Sequence, residues 1–384
     1  MTSLIHHALV FGASGLAGWG VVEQLLENYP AKGTFSKVTA VINRPMSIAD
    51  SSWPAPEAPA LELVTNVDLT QGTVESFTAH LKKKVKDIAG VTHVYYFVYK
   101  QDDDVELEIK TNRGMLERVV GAMEALAPNF RFLAWPSGSM GYGIYKPGGG
   151  PFKAPYKESM GRLPAPDTNF YYVFEDILAQ RSKGKFWTWC EVRPDAIVGF
   201  SPNGSTYNLP AHWATYLSLY RVVEGEGASV AYPGTEAGYD SKFNDASSEI
   251  IAKLAIWASL NPEKSSGQLF NIADRAEPST MRERWPALAA YFGLVGIRPP
   301  APGATLLKPG EYALKHQDVL KARCMKANNV TGAAFLDHYG YALDFDRQLS
   351  LDKIRASGFE EERDPVKSWL TAFERFKRAG MVPG

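Results

Sequence analysis

Gly12, Gly15 and Gly18, three residues apart in FGASGLAGWG, follow directly on the apolar run HHALVF. A strand that hands over to a helix through such a loop is the setting of a dinucleotide-binding fingerprint. The chemistry asks for glycine at each place. The first permits a tight turn, the second lets a pyrophosphate approach the backbone, and the third lets helix and strand pack closely. N–H groups at the helix start then attract phosphate, aided by the helix dipole. Ala13, Ser14 and Leu16 complete this loop. An ordinary glycine-rich turn is the plain alternative, and the flanking strand and helix argue against it.

The end of the second strand refines the expectation. A site for the unphosphorylated dinucleotide usually carries Asp or Glu there, about 20 residues on, to bind the ribose 2′-hydroxyl. The sequence here is VINRP, with Asn43 and Arg44 and no acid. A guanidinium suits a 2′-phosphate, so NADP(H) is the expected cofactor. After the third strand, NVDLT offers Asp68 and Leu69 where an adenine would lie, and Val98 and Ser137 close later strands at the same carboxyl edge. Tyr99 and Trp135 sit there too, either as core or as the wall of an apolar substrate pocket, and Tyr142 follows in the next loop.

These residues need a scaffold, and the pattern supplies one. Strand-like runs (HHALVF, KVTAVI, LELVTN, VTHVYYFVY, FRFLAW, FWTWCEV, QLFNIAD) alternate with helical periodicity, as in LAGWGVVEQLLENY and VELEIKTNRGMLERVVGAMEAL. Nearly continuous apolar strands between helices predict a Rossmann-type α/β fold: a doubly wound parallel sheet covered on both faces. A smaller, mainly helical C-terminal region would bind substrate. Residues 1–205, with late strands and helices from 226–277, would form the dinucleotide-binding domain, and 206–225 with 278–384 the substrate region. The Gly/Pro-rich loop from Pro136 to Asp167 is long enough to predict a functional role.

Composition excludes several classes. The 384 residues carry a net charge of −1, without the basic excess of a nucleic-acid or membrane-surface binder. No uncharged apolar run approaches the roughly 18 residues of a membrane span. The start, MTSLIHHALVF, lacks the features of a signal peptide. Two cysteines, Cys190 and Cys324, are too few for a disulfide framework, so a reduced, cytoplasmic protein is expected. The seven histidines show no metal-ligand spacing. Oligomeric state stays open, a homodimer included.

With GASGLAG, VINRP, THVYYFV, NFYYVFEDIL, RPDAIVGFSP, IIAKLAIWASLNP and the closing LDKIRASGFEEERDPVKSWLTAFERFKRAGMVP, the chain resembles the progesterone 5β-reductase/iridoid synthase-like (PRISE) family of extended short-chain dehydrogenases. The resemblance spans nearly the whole chain. It implies NADPH-dependent reduction of an activated C=C bond, with hydride going to the β-carbon and an enolate oxygen gathering charge. It further implies that Tyr172, closing NFYY, supplies a hydrogen bond to that oxygen, and that Ile197 and Val198 flank the nicotinamide. One departure stands out. Where the family reads roughly TGxKHY, this chain reads SGSMGY, which puts Met140 at the lysine position. A thioether carries no charge and donates no proton. An unassisted phenol titrates near about 10, so it is a hydrogen-bond donor and a poor base at neutral pH. Tyr142 and Lys146 repeat a Y-x-x-x-K spacing but stand in a glycine- and proline-flanked loop, a coincidence unless loop folding brings Lys146 inward. Three functions follow: an enone or carbonyl reductase; a redox-neutral cyclase or isomerase, given Met140; and a non-catalytic NADP(H)-sensing regulator.

Overall fold

The glycine-bearing run that opens the chain folds as a strand, a tight turn and a helix, and the pattern repeats. The computed structural model describes residues 6–165, 169–205, 207–301, 303, 306–324 and 334–383. The first half runs β1 (His6–Phe11), α1 (Leu16–Leu26), β2 (Phe35–Val41), α2 (Ile48–Ser51), β3 (Ala60–Val64), α3 (Val74–Lys84), β4 (His93–Tyr96), α4 (Val105–Leu126), β5 (Phe132–Pro136), α5 (Phe170–Ser182) and β6 (Thr188–Arg193). Then follow β7 (Ile197–Val198), α6 (Leu209–Glu224), β8 (Ser229–Ala231), α7 (Glu236–Asp240), β9 (Ala246–Ser247), α8 (Ser248–Leu260), α9 (Pro262–Ser265) and β10 (Gln268–Asn271). The chain ends with α10 (Met281–Ala290), β11 (Val295–Ile297), α11 (Pro309–Lys315), α12 (Gln317–Arg323), α13 (Tyr339–Ala342), α14 (Asp352–Ala356) and α15 (Pro365–Arg378).

Seven strands make one parallel sheet in the order β10-β6-β5-β4-β1-β2-β3. The order reverses beside β1, so the crevice at its carboxyl end is where such a fold receives ligands. The period of two along each strand sends alternate residues to opposite faces. On β1, Ala8 and Val10 enter one core with α1, α6, α8 and α15, whereas Leu9 and Phe11 enter a second with α3, α4 and α5. This is the doubly wound α/β fold the sequence predicts. All eleven residues of α1 are buried, because it lies between the sheet and α8. Trp369, Phe373 and Phe376 of α15 are wholly enclosed, each contributing about 1.5–3 kcal/mol of apolar burial. One apolar core thus runs from β1 to the C-terminal helix.

The long loop after β5, of which residues 166 and 167 lie outside those described, is not structureless. It makes three short 3₁₀ turns at Ser139–Tyr142, Pro147–Gly149 and Glu158–Met160. Tyr142, Ile144 and Tyr156 form a small core of their own with Leu349. The backbone pairs Tyr156 N–H with Gln348 O and Ser350 N–H with Tyr156 O, both at 2.8 Å.

Candidate functional site

Gly12 and Gly18 meet the steric demands that their spacing predicts. Gly12 turns the chain at φ +75°, and a Cβ there would lie 2.1 Å from the Phe97 carbonyl oxygen. Its N–H donates to Val41 O at 3.1 Å, tying the loop to β2. A Cβ on Gly18 would lie 2.3 Å from Gly12 O, so only glycine lets α1 come this close to the loop. Gly15 is the N-cap of α1 and brings no side-chain oxygen to the first-turn N–H groups. Bare helix N–H groups beside a glycine cradle are what a pyrophosphate requires. The residues present therefore fit a dinucleotide.

Around this cradle the edge residues differ in role. Asn43 and Arg44 are exposed at the end of β2, and the Arg44 guanidinium donates to Asn203 O at 3.0 Å. Ser201 hydroxyl donates to Ser14 O at 3.0 Å, so residues 201–204 lie against the glycine loop. Asp68 accepts from Thr70 N–H (2.8 Å) and Thr70 hydroxyl (2.7 Å), building the turn after β3, with Leu69 buried beside it. A side chain on Gly12 would meet Val98 at 3.2 Å, which places Val98 against the cradle. Val198 is buried and Ile197 half-buried on β7, which pairs in parallel with β9.

Tyr172 stands in the first turn of α5, whose start is capped by Asn169 Oδ1 accepting from Tyr171 N–H at 3.0 Å. The Tyr172 ring is buried. Its hydroxyl donates to Gly141 O at 2.8 Å and accepts from Leu163 N–H at 2.9 Å. Met140, the residue before that carbonyl, is 40% exposed. Arg162 lies 5.2 Å from the Tyr172 ring centroid and is itself held by Glu175 (2.8 Å) and Asp176 (2.7 Å). Lys146 is half-buried at the N-cap of the Pro147–Gly149 turn.

Beneath the turn lies a buried charge cluster. Arg193 donates to Glu191 Oε1 through Nη2 (2.6 Å) and Nε (3.0 Å), and both side chains are almost wholly enclosed. Ser137 hydroxyl donates to the same carboxylate and accepts from Arg193 Nε at 3.2 Å. A Cβ on Gly141 would lie 2.8 Å from the Arg193 guanidinium carbon, so the turn rests on this cation. Burial, and next the negative Glu191, push the Glu175 carboxyl up to about 7.

Three expected roles change accordingly. Ser137 turns its hydroxyl to the buried charge pair, because Glu191 on the neighbouring strand accepts it. Trp135 is fully buried against Phe174 at 5.2 Å and lines no open pocket. Tyr142 is also fully buried, stacked on Tyr156 at 5.2 Å and 9°, with its hydroxyl donating to Asn271 Oδ1 at 2.7 Å. Tyr99, by contrast, is 39% exposed. It stacks on Phe170 at 5.0 Å and donates to Glu108. Tyr207 (5.9 Å from Tyr99) and Phe335 (5.0 Å from Tyr207) continue an exposed aromatic edge that the sequence did not single out.

Residues 8–383 match the model of one family, described as PRISE-like Rossmann-fold domain. The chain belongs to this family. It is 35% identical to the short chain dehydrogenase ausT of Aspergillus calidoustus, over 98% of this chain and 94% of that protein. It is 30% identical to the (S)-8-oxocitronellyl enol synthase ISY2 of Nepeta racemosa, over 98% of this chain and 91% of that one. In fold it resembles the UDP-glucose 4-epimerase of Thermus thermophilus, solved in complex with NAD, with a TM-score of 0.60, 16% identity and coverage of 97% and 99%.

This PRISE-like protein is an oxidoreductase of the short-chain dehydrogenase/reductase superfamily. Arg162 and Leu163 lie in the Pro136–Asp167 loop and Ser201 in RPDAIVGFSP, stretches the sequence marks without singling out these residues, while Tyr207 and Phe335 had no sequence signal; each reaches the edge through a loop or helix end whose path only the folded chain shows. No helix among the described residues is long and apolar enough to cross a membrane. Among those residues no group of three or more His, Cys, Asp or Glu is placed to hold a metal.

Proposed function

We propose that this protein is an NADPH-dependent reductase of an activated C=C bond, an enone or enal, in an apolar small molecule of specialised metabolism. The observation that carries the reading is the placement of a bare, glycine-cradled helix start and the Tyr172 hydroxyl along one carboxyl edge of the sheet. The loop Gly12–Gly18 and the N–H groups of α1 would hold the pyrophosphate. Arg44, exposed and without an acidic neighbour at the end of β2, would take the 2′-phosphate. Ile197, Val198 and Val98 would flank the nicotinamide, which supplies hydride when bound. Tyr172 would donate its hydroxyl proton to the substrate oxygen, exchanging Gly141 O for that oxygen. Trading one acceptor for another costs little, while a donor already in place for a developing oxyanion lowers a barrier by about 3–4 kcal/mol. Leu163 N–H, bonded to the Tyr172 oxygen, favours this donation because it draws electron density from the phenol. Tyr99, Tyr207 and Phe335 would give an apolar substrate a flat aromatic surface.

NADPH oxidation with a panel of enones and enals tests this in wild type and Tyr172→Phe. Turnover on at least one, reduced about 10²–10³-fold in the variant, is expected. Cofactor binding without turnover on any substrate would refute it. Met140 favours a second reading, a redox-neutral cyclisation or isomerisation, in which product forms with no change in NADPH absorbance.

A further inference from the structure

Helices α6, α12 and α15 end beside one another around a cleft of about 320 Å³, lined by Arg221, Arg323, Lys377, Tyr291, Phe292 and Pro383, with no carboxylate in its wall. Each cation belongs to the last turn of a different helix. Basic residues there commonly offset the helix dipole. One carbonyl in each of these last turns has a backbone partner. Gly225 N–H donates to Arg221 O (3.2 Å), Cys324 N–H to Leu320 O (3.0 Å) and Gly380 N–H to Lys377 O (2.9 Å). No capping bond holds the three side chains in place.

Their charges are also poorly matched. Among the described residues Arg221 pairs with Glu226, at 2.8 Å, and that carboxylate is 79% exposed. Lys377 sits over the Tyr291 ring at 5.4 Å. The nearby Glu374 is taken by Arg378 (2.8 Å) and by the Tyr291 hydroxyl (2.7 Å). Arg323 makes no ion pair among the described residues. Three cations facing one cleft create a positive field that an anion relieves. Tyr291 and Phe292 add apolar surface. The volume lies within the range of small-molecule sites, about 300–1,000 Å³.

We propose that this cleft is a second ligand site, for a small organic polyanion. Its phosphate or carboxylate groups would be held by Arg221, Arg323 and Lys377, and a flat apolar body would lie against Tyr291 and Phe292. Guanidinium groups suit such anions through paired N–H donors. The site is separate from the dinucleotide edge. From Tyr207 to Arg221 the chain runs the length of α6, roughly 15–20 Å away at 1.5 Å per residue.

Calorimetric titration with inorganic pyrophosphate and with adenosine 5′-monophosphate tests it, in wild type, R44Q and R323Q/K377Q, at constant ionic strength. The expected result is binding in wild type and R44Q, weakened at least about tenfold in R323Q/K377Q, as the loss of charge-assisted hydrogen bonds requires. Arg44 and Arg323 are exposed and Lys377 is half-buried, so melting temperature and far-UV circular dichroism should hold. Should the double variant fold poorly, R323E alone must show the same loss. Absence of heat from both probes would overturn the proposal. So would equal affinity in R323Q/K377Q and wild type, or loss in R44Q alone, which would place the anion at the dinucleotide edge.

Discussion

Gly18→Ala isolates the close approach on which the cofactor cradle depends. Inside a helix, alanine is favoured over glycine by about 1 kcal/mol, so propensity alone predicts stabilisation. The structure reverses the sign. The new Cβ would lie 2.3 Å from Gly12 O and 2.9 Å from Gly12 C, against 3.4 Å or more for ordinary contact. Helix α1 would have to retreat by about 1 Å, and it is buried along its whole length between the sheet and α8, so the movement disturbs both interfaces. Overpacking of this kind costs about 1–3 kcal/mol, which leaves a net loss of up to about 2 kcal/mol after the propensity gain. The retreat also pulls the first-turn N–H groups from the phosphate, so the Kd for NADPH should rise about tenfold or more. Gly114→Ala is the control. It too lies within a helix, and its Cβ meets no backbone, only the Arg118 guanidinium at 3.0 Å, which need give by a few tenths of an ångström while bonded to Leu69 O and Gly72 O, so the change should be near neutral. Urea denaturation and calorimetric titration read both effects. A Gly18→Ala protein as stable as wild type, with an unchanged Kd, would refute the cradle argument.

Three further outcomes follow from the same structure. On the proposal that Arg44 takes the 2′-phosphate, Arg44→Gln should weaken NADPH about tenfold or more while leaving NADH unchanged, as one charge-assisted contact would be lost; equal weakening of both, by titration, would remove Arg44 from cofactor choice. Glu191→Gln should cost about 3–5 kcal/mol in urea denaturation, since it breaks a buried pair and leaves Arg193 enclosed against weaker partners; a loss under about 1 kcal/mol would mean the pair is not structural. Between pH 7 and 5 stability should change by less than about 2 kcal/mol, because two sets of groups oppose each other. Burial lowers His7 to about 4 and His93 to about 3. They stay neutral in the fold while the unfolded chain takes up protons below about 6.5, so stability falls with acid. Burial raises Glu23 and Glu175 to about 7. The fold holds those protons where the unfolded chain releases them above about 4.5, so stability rises as pH drops from 7 to 4.5, and below that only the histidine loss continues. Urea curves at pH 7, 5 and 4 check this, and a loss above about 3 kcal/mol between pH 7 and 5 would contradict it.

The scaffold was legible because parallel strands covered on both faces read as apolar runs, and because Gly12 and Gly18 have no substitute where backbone touches backbone. The pocket was less so. Trp135 lies near the carboxyl end of β5 and Tyr99 just beyond β4, yet one is sealed by Phe174 and the other left open beside Tyr207. Which of them faces solvent depends on helices placed by the rest of the fold, and no local pattern carries that information. Tyr142 is likewise decided by Tyr156 of its own loop and by Asn271 from a distant part of the chain.

Met140 shows what each level contributes. The chain's resemblance to the family implies a lysine where the sequence has Met140, and the structure shows which cations surround the phenol. Arg193 lies under Gly141 but is bound to Glu191, and Arg162 lies over the Tyr172 ring but is bound to Glu175 and Asp176. Each guanidinium near the phenol is thus offset by carboxylate, and the hydroxyl itself is held by two neutral backbone groups. On the reductase reading, Tyr172 therefore works as a hydrogen-bond donor aimed by the 139–142 turn and Leu163. The burden of stabilising the enolate then falls on placement. That is why a change in the buried Glu191–Arg193 pair, which touches no substrate, should slow turnover as well as weaken the fold.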